Sequence, residues 1–317
     1  MSFIGIDLGG TNIRGGIVDE LGNITNRRQE PTFAKEGANS IINRLIDFIK
    51  SLIEQDRTIN LEGIGVGCPG IIDIEKGIIH LSPNLPGFKD IPLKKILQDT
   101  FSVSSYLEND ANVIAFGEKC YGEGKDVSSL ICITLGTGVG GGIILDNKLW
   151  HGFNGMASEI GHITIIPDGI KCGCGNNGCL EAYASATAVI NRTIDLIKKG
   201  HDSKISKIIK SGTTLTAKMI YEAALDNDLL SSQILDQTGK YLGIGIADLI
   251  NILNPEMIVI GGGMASAWDM FFPSMSIEIK KRAFDIPAQS VKIVRAKLGD
   301  DAGILGAAAL IAYATEQ

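Results

Sequence analysis

The chain has 317 residues, 44% of them hydrophobic and 21% charged, with a formal net charge of −7. That length predicts two domains and a sizeable core, and the acidic balance argues against a duplex nucleic-acid partner, which would need a basic face. The opening MSFIGIDLGG has no basic segment followed by an apolar run, so no signal peptide is expected. The most apolar stretch, residues 130–145, is interrupted by Gly136, Gly138 and the glycines at 140–142, which excludes a membrane span. Cys68, Cys120 and Cys132 stand in apolar surroundings and read as buried thiols of a cytoplasmic, reducing compartment.

In chain order, FIGID (3–7) reads as a buried strand, LGGT as a turn and IRGGIVD (13–19) as a second strand, with a third after Leu21-Gly22-Asn23. This differs from the dinucleotide-binding opening, in which the glycines lead from a strand into a helix. A turn between antiparallel strands can still offer backbone N–H groups to a phosphate, with Asp7 beside it to meet a cation. Taken alone, it is equally an ordinary hairpin with an aspartate at its shoulder. Residues 38–55 place Ile41, Ile42, Leu45, Ile46, Phe48, Ile49, Leu52 and Ile53 at helical spacing. GIGVGCPGIID (63–73) follows as a buried strand, then turns with the irregular loop SPNLPGF (82–88), then a short helix over 92–100. At 106–124 a strand ends at Glu108, Asn109 and Asp110 sit at the turn, and a helix continues from Ala111. Asn and Asp are preferred N-caps; a carboxylate at the carboxyl end of a strand is also where α/β proteins place ligands.

LICITLGTGVGGGIIL (130–145) repeats the opening pattern about 127 residues later, which predicts two related domains. Residues 182–200 and 216–250 read as helices, 256–263 as a strand ending in glycines, 269–283 as a helix, 291–294 as a strand and 301–315 as an Ala-rich helix. Between the second Gly-Thr turn and these helices lies EIGHITIIPDGIKCGCGNNGCLE (159–181). His162, Cys172, Cys174 and Cys179 have the spacing H-x9-C-x-C-x4-C. One imidazole and three thiolates form a closed tetrahedral set for structural zinc. Glu159 and Glu181 flank the set, so a metal would hold two carboxylates near each other.

Three glycine turns follow strands: Gly9-Gly10-Thr11, Gly136-Thr137-Gly138 and Gly261-Gly262-Gly263. Two facing Gly-Thr turns would clamp a polyphosphate, and the third could leave room for a flat base. With Asp7 for magnesium and Asp110 as general base, the pieces suit phosphoryl transfer to a hydroxyl, which needs positioning and charge neutralisation more than covalent help. Glu159, Glu181 and His162 suit the vicinal hydroxyls of a sugar.

DLGGTNIRGGIVD (7–19), ENDANVIAFGE (108–118), LGTGVGGGI (135–143), EIGH (159–162), CGCGNNGCLEAYAS (172–185) and VIGGG (259–263) appear in the order found in the ROK (repressor, open reading frame, kinase) family. The chain resembles that family's sugar kinases, most closely its bacterial glucokinases, from residue 3 to about 310. The resemblance implies an actin-like, hexokinase-type (ribonuclease H-like) α/β fold with a zinc-binding loop and two domains around a cleft. The expected division is 1–118 plus 301–317 as the small domain and 119–300 as the large one. It implies Asp110 as the base on the sugar 6-hydroxyl, and Gly70, Asn84, Asn109, Glu159, His162 and Glu181 around the sugar. ATP, with Mg2+ near Asp7, would meet Gly9, Gly10, Thr11, Thr137 and Gly138, with the turn at Gly261–Gly263 near the adenosine. Zn2+ would fix the tautomer of His162. One departure is Ser158, directly before EIGH, where many relatives carry glycine; it bears on hexose preference.

Within this class the expected acceptor is glucose. Kinases for allose, fructose, N-acetylmannosamine or N-acetylglucosamine are the near alternatives, and polyphosphate is an alternative donor. A sugar-responsive regulator of the same family would carry a DNA-binding module before the first turn, and here that turn starts at residue 7. A zinc module for protein or nucleic-acid binding explains the cysteines but neither the Gly-Thr turns nor ENDAN. The expected partners are the hexose and ATP, with no nucleic acid and no membrane, in a homodimer or homotetramer.

Overall fold

The computed structural model describes residues 1–55 and 59–315; residues 56–58 and 316–317, which the sequence division counts in the small domain, lie outside them. The first sheet is built from β1 (Ser2–Leu8), β2 (Asn12–Asp19), β3 (Ile24–Pro31), β4 (Leu61–Cys68) and a fifth strand at Ser104–Asn109. Between the last two come a small antiparallel sheet of β5 (Ile71–Asp73), β6 (Ile78–Leu81) and β7 (Lys89–Ile91), so the strand at Ser104–Asn109 is β8. The spatial order β3-β2-β1-β4-β8 has an antiparallel meander on one side and parallel pairs of β1 with β4 and β4 with β8 on the other. The second sheet, from β9 (Leu130–Leu135), β10 (Val139–Leu145), β11 (Lys148–Leu149), β12 (Met257–Gly261) and β13 (Lys292–Arg295), has the order β11-β10-β9-β12-β13. Counted within each sheet, both run third, second, first, fourth, fifth. The repeated Gly-Thr hairpin in the sequence is thus the visible part of a repeated sheet.

The helices are α1 (Ala38–Gln55), α2 (Leu93–Phe101), α3 (Asp110–Tyr121), α4 (Glu181–Ala184), α5 (Ala186–Lys198), α6 (Ile205–Lys210), α7 (Ala217–Leu225), α8 (Leu229–Leu253), α9 (Trp268–Arg282), α10 (Asp285–Ser290) and α11 (Ala302–Thr315). The chain divides into two compact units, Met1–Cys132 with Gly142–Ser158 and Lys297–Gln317, and Ile133–Gly141 with Glu159–Ala296. The sequence reading draws its line at 118/119 and 300/301. Among the described residues no helix is long and apolar enough to cross a membrane.

In the first unit α1 buries Ile41, Leu45, Phe48, Ile49 and Leu52 against Ile4, Ile6, Ile13 and Ile64. Each such side chain contributes about 1.5–3 kcal/mol on burial. α11 lies so close to β1 and β4 that a Cβ on Gly5 would stand 1.9 Å from the Ile304 carbonyl oxygen, and one on Gly65 1.9 Å from that of Ala307. Only glycine admits a helix backbone at that distance, and the Ala-rich face of α11 completes the approach.

Three readings of the sequence change in detail. The strand expected over 63–73 stops at Cys68, because Pro69 has no N–H for a ladder and Gly70 turns the chain at φ +126°. In the small sheet, β5 takes the end of the expected strand, β6 falls where only turns were expected and β7 lies between the loop at 82–88 and the expected helix; two of these strands have three residues and show no alternation to read. The helix expected over 182–200 breaks at Ser185, whose side chain accepts the Ala188 N–H as N-cap of α5. The stretch at 216–250, read as one or two long helices, is two, α7 and α8, and Asp228 caps α8 by accepting the Ser231 N–H.

Candidate functional site

The parallel strands of the first sheet deliver three positions to one edge: Asp7 pairs in register with Gly67, and Cys68 with Asn109. Asp7 is partly buried. Its carboxyl is pushed up to about 6, first by burial and then by the charge of Asp110, against the opposing pull of Arg14. Arg14 faces Asp7 across the β1–β2 hairpin, with Nη1 3.7 Å from the Asp7 carboxylate and 3.7 Å from that of Asp300. A carboxylate that is costly to ionise among other acids gains most from a cation, so Asp7 fits a place near Mg2+. Burial and the charges of Asp110, Glu108 and Asp7 keep the Cys68 thiol protonated.

Asn109 caps α3: its Oδ1 accepts the N–H groups of Ala111 at 2.9 Å and Asn112 at 3.3 Å. That commits the oxygen and leaves Nδ2 as its group for a ligand. Asp110 is the first residue of α3, at the positive end of the helix dipole, and its Oδ1 lies 2.9 Å from the Ala111 nitrogen. The cap is thus Asn109, and the Asp110 carboxylate follows it at the carboxyl end of β8.

The first Gly-Thr turn is closed by Gly9 N–H donating to Asn12 O at 2.9 Å. Its carbonyls are occupied by Thr32, whose hydroxyl donates to Gly9 O at 2.6 Å and whose N–H donates to Thr11 O at 2.8 Å. The loop at 82–84 crosses directly over it: a Cβ on Gly10 would lie 2.7 Å from the Asn84 carbonyl oxygen. Gly70 lets β6 approach in the same way, since a Cβ there would lie 2.2 Å from Leu81 O. Gly9, Gly10, Thr11, Gly70 and Asn84 are thus brought together around one end of the first unit.

In the second unit the turn at Gly136–Gly138 repeats this arrangement. Gly136 N–H donates to Gly138 O at 3.0 Å, Ala186 N–H to Gly136 O at 2.9 Å, and the Thr187 hydroxyl to Thr137 O at 2.7 Å. The carboxylate of Glu181 lies over the turn, where its Oε2 accepts the Val139 N–H at 2.9 Å and stands 2.3 Å from where a Gly138 Cβ would be. Gly262, at φ +83°, packs on the end of β9, its would-be Cβ 2.5 Å from Leu135 O, which sets the Gly261–Gly263 turn beside the Gly-Thr turn.

His162, Cys172, Cys174 and Cys179 converge, with their ligand atoms within 4.8 Å of one another. Cys172 Sγ is 3.7 Å from His162 Nδ1 and Cys174 Sγ is 3.7 Å from Cys179 Sγ. Thiolates bound tetrahedrally at about 2.3 Å from zinc stand about 3.8 Å apart, so the spacing fits that ion. Burial raises the thiol of Cys172 and pushes that of Cys179 up to about 12, while the Asn176 N–H lowers Cys174. Zinc would have to displace those protons, which makes its affinity pH-dependent. With Nδ1 turned to the cluster, His162 Nε2 is 3.9 Å from the exposed Glu159 carboxylate. Glu181 Oε1 is 3.8 Å from Cys172 Sγ. Glu181 therefore joins the zinc loop to the Gly-Thr turn, a link that sequence spacing does not display.

Two supporting residues lie outside the sequence candidates. Arg14 was readable as the hairpin partner of Asp7. Nothing near Asp110 in sequence pointed to His151, whose Nε2 is 2.7 Å from Glu108 Oε2; the bond raises the His151 pKa.

The model of the ROK family matches residues 3–314, and the chain belongs to that family. It is 36% identical to a glucokinase of Halalkalibacterium halodurans over 98% of this chain and 94% of the relative. A ROK family glucokinase from Streptomyces griseus, solved in complex with glucose and AMPPNP, superposes with TM-score 0.82 at 31% identity, covering 98% of this chain and 99% of that one. A ROK family transcriptional regulator, a homologue of the E. coli MLC protein, superposes with TM-score 0.90 at 28% identity, covering 99% of this chain and 78% of that one. The fold is the hexokinase-type α/β fold of the family.

Proposed function

We propose that this protein is an ATP-dependent hexose kinase that transfers the γ-phosphoryl group to the 6-hydroxyl of glucose, giving glucose 6-phosphate and ADP. The observation that carries the reading is Asp110: a carboxylate at the end of a parallel strand, on the first turn of α3, next to a second acid suited to a cation. Asp110 takes the proton of the 6-hydroxyl as its oxygen attacks the γ-phosphorus. Proton removal by a placed carboxylate is worth about 10²–10⁴-fold. The N–H groups of Gly10, Thr11, Thr137 and Gly138 receive the phosphates, with Gly9 shaping the first turn through its own N–H bond to Asn12 O, and the turn at Gly261–Gly263 receives the adenosine. Magnesium, held near Asp7, would neutralise phosphate charge. Asn109 Nδ2 donates to a sugar hydroxyl, while Glu159, Glu181 and His162 Nε2 orient the others, with Gly70 and Asn84 lining the same pocket. His162, Cys172, Cys174 and Cys179 would hold a structural zinc ion, which would take no part in the chemistry, and His162, ligating through Nδ1, would keep Nε2 for the sugar.

The same proposal divides the chain into 1–118 with 301–317 and 119–300, makes it a homodimer or homotetramer, and places it in the cytoplasm, where its free cysteines stay reduced. The regulator reading shares the fold; a general base beside a cation site favours the enzyme. A coupled ADP-release assay with ATP and Mg2+ over glucose, allose, fructose, mannose, N-acetylmannosamine and N-acetylglucosamine tests it. Glucose should give the highest kcat/KM. Preference for another hexose moves the substrate assignment, and silence with every sugar ends the kinase reading.

A further inference from the structure

The Asn109–Asp110 turn is held from behind by an acid that the proposed chemistry does not use. Glu108, 1% exposed, turns inward from the last residues of β8. Its Oε1 accepts the Asn109 N–H at 2.9 Å and the Asn112 amide Nδ2 at 3.0 Å, one bond to the turn and one to the first turn of α3. Its Oε2 is 2.7 Å from His151 Nε2, and since a carboxylate can only accept, His151 donates there. A buried carboxylate without that partner could not remain where it is at low cost.

His151 also begins a loop that needs an anchor. Its carbonyl accepts the Ala157 N–H at 3.2 Å, closing residues 151–157. The loop makes two positive-φ glycine turns at Gly152 and Gly155 and exposes Phe153 completely. It ends at Ser158 with φ +72°, a left-handed conformation unfavourable for a residue with a Cβ. The Ser158 hydroxyl is buried with no hydrogen-bond partner. A loop that ends under strain stays in one conformation only if something outside it holds it, and the His151–Glu108 bond does so.

We infer that His151 is a positioning residue for Asp110: through Glu108 it locks the Asn109–Asp110 turn and joins it to the 151–158 loop. This rests on the reading of Asp110 as the base. Glu108 freed of His151 would release the Asn109 N–H and the Asn112 amide together, and the Asp110 carboxylate would lose its fixed direction. Gln at 151 can still place an N–H donor near Oε2, whereas Ala cannot.

The test compares wild type, His151→Gln and His151→Ala, each checked for folding by near-UV circular dichroism and assayed well below its melting temperature. His151→Ala should lower kcat by about 10- to 100-fold, the size of effect that a displacement near 1 Å gives. The KM for ATP should stay within about twofold and His151→Gln should recover most of the rate, because only a donor to Glu108 is required. A pair that merely stabilises the fold would lower the melting temperature and leave kcat of the folded enzyme unchanged, which overturns the inference. Equal rates for the Gln and Ala variants overturn it as well. Should wild type phosphorylate no sugar, the kinase reading fails separately, and amide hydrogen exchange of a peptide over 104–116 still decides: faster exchange in His151→Ala than in wild type and His151→Gln supports the clasp, and equal exchange in all three refutes it.

Discussion

The two Gly-Thr turns are near copies in backbone and opposites in chemistry. In each, the turn closes on itself, and a threonine from elsewhere in the same unit, Thr32 or Thr187, occupies a carbonyl. The N–H groups not spent on that closure are the polarity each turn has to offer an anion. What differs is the acid. The first turn follows Asp7 on β1; at the equivalent place on β9 stands Thr134. The second turn instead receives Glu181 from the zinc loop, bonded to Val139 N–H. Two like turns thus carry different carboxylates: Asp7, which the proposal sets beside a cation, and Glu181, tied to the loop of the His162–cysteine cluster.

Changes at the two carboxylate systems should separate this division of labour. Asp110→Ala should cut kcat by about 10²–10⁴-fold with sugar binding largely kept; steady-state kinetics with glucose titration by calorimetry would show it, and near-normal turnover would remove Asp110 from its role. Cys174→Ser should release zinc and raise the glucose KM about 10- to 100-fold, the usual cost of losing support behind a ligand-binding group. Metal analysis of the purified wild type should find about one zinc per chain, and finding none would take the cluster out of the scheme.

The turns themselves can be set against each other. A methyl at Gly10 meets the backbone of Asn84, which cannot rotate away, whereas a methyl at Gly138 meets the end of the Glu181 side chain. Gly10→Ala should therefore lose about tenfold in kcat/KM for ATP, as a sub-ångström to 1 Å shift of the turn would cost. Gly138→Ala should instead raise the glucose KM by pushing Glu181 off Val139. If both variants affect only ATP, Glu181 does not bridge turn and sugar.

The remaining effect is on stability. The Asp7 carboxyl, about 6 in the folded chain against an ordinary value of 3.8, binds more proton folded than unfolded. Stability should therefore fall as pH rises through about 4 to 6 and stay lower above that window. Asp7→Asn removes the penalty and should stabilise the protein at pH 7.5 by of order 3 kcal/mol in magnesium-free buffer. Urea unfolding at pH 4.5 and 7.5 gives the comparison, and an equal effect at both values would contradict it.

Much of this was legible in the sequence because its signals are local. Helix α1 announced itself by spacing, the zinc ligands by four residues in a short span, and the duplicated hairpins by direct comparison. The convergence of His162 with the three cysteines required nothing beyond that local pattern. What could not be read depends on residues far apart in the chain. Thr32 under Gly9, Glu181 on Val139 and His151 on Glu108 join positions 23, 42 and 43 apart. Each is a single hydrogen bond without periodicity or composition to mark it. The small sheet was not legible as a separate sheet for a related reason: the pairing of its 3-residue strands with β6 is set by Gly70 and by the loop at 82–88, not by any pattern of their own.

The most direct measurement replaces glucose by 6-deoxyglucose, which keeps every hydroxyl assigned to Asn109, Glu159, His162 and Glu181 and removes only the one assigned to Asp110. With ATP and Mg2+, glucose should yield equal amounts of ADP and a phosphate ester whose phosphorus couples to the C6 protons in the 31P spectrum. 6-Deoxyglucose should inhibit competitively against glucose and yield no sugar phosphate. Phosphorylation of 6-deoxyglucose, or a glucose product esterified elsewhere, would contradict transfer to the 6-hydroxyl and the place given to Asp110.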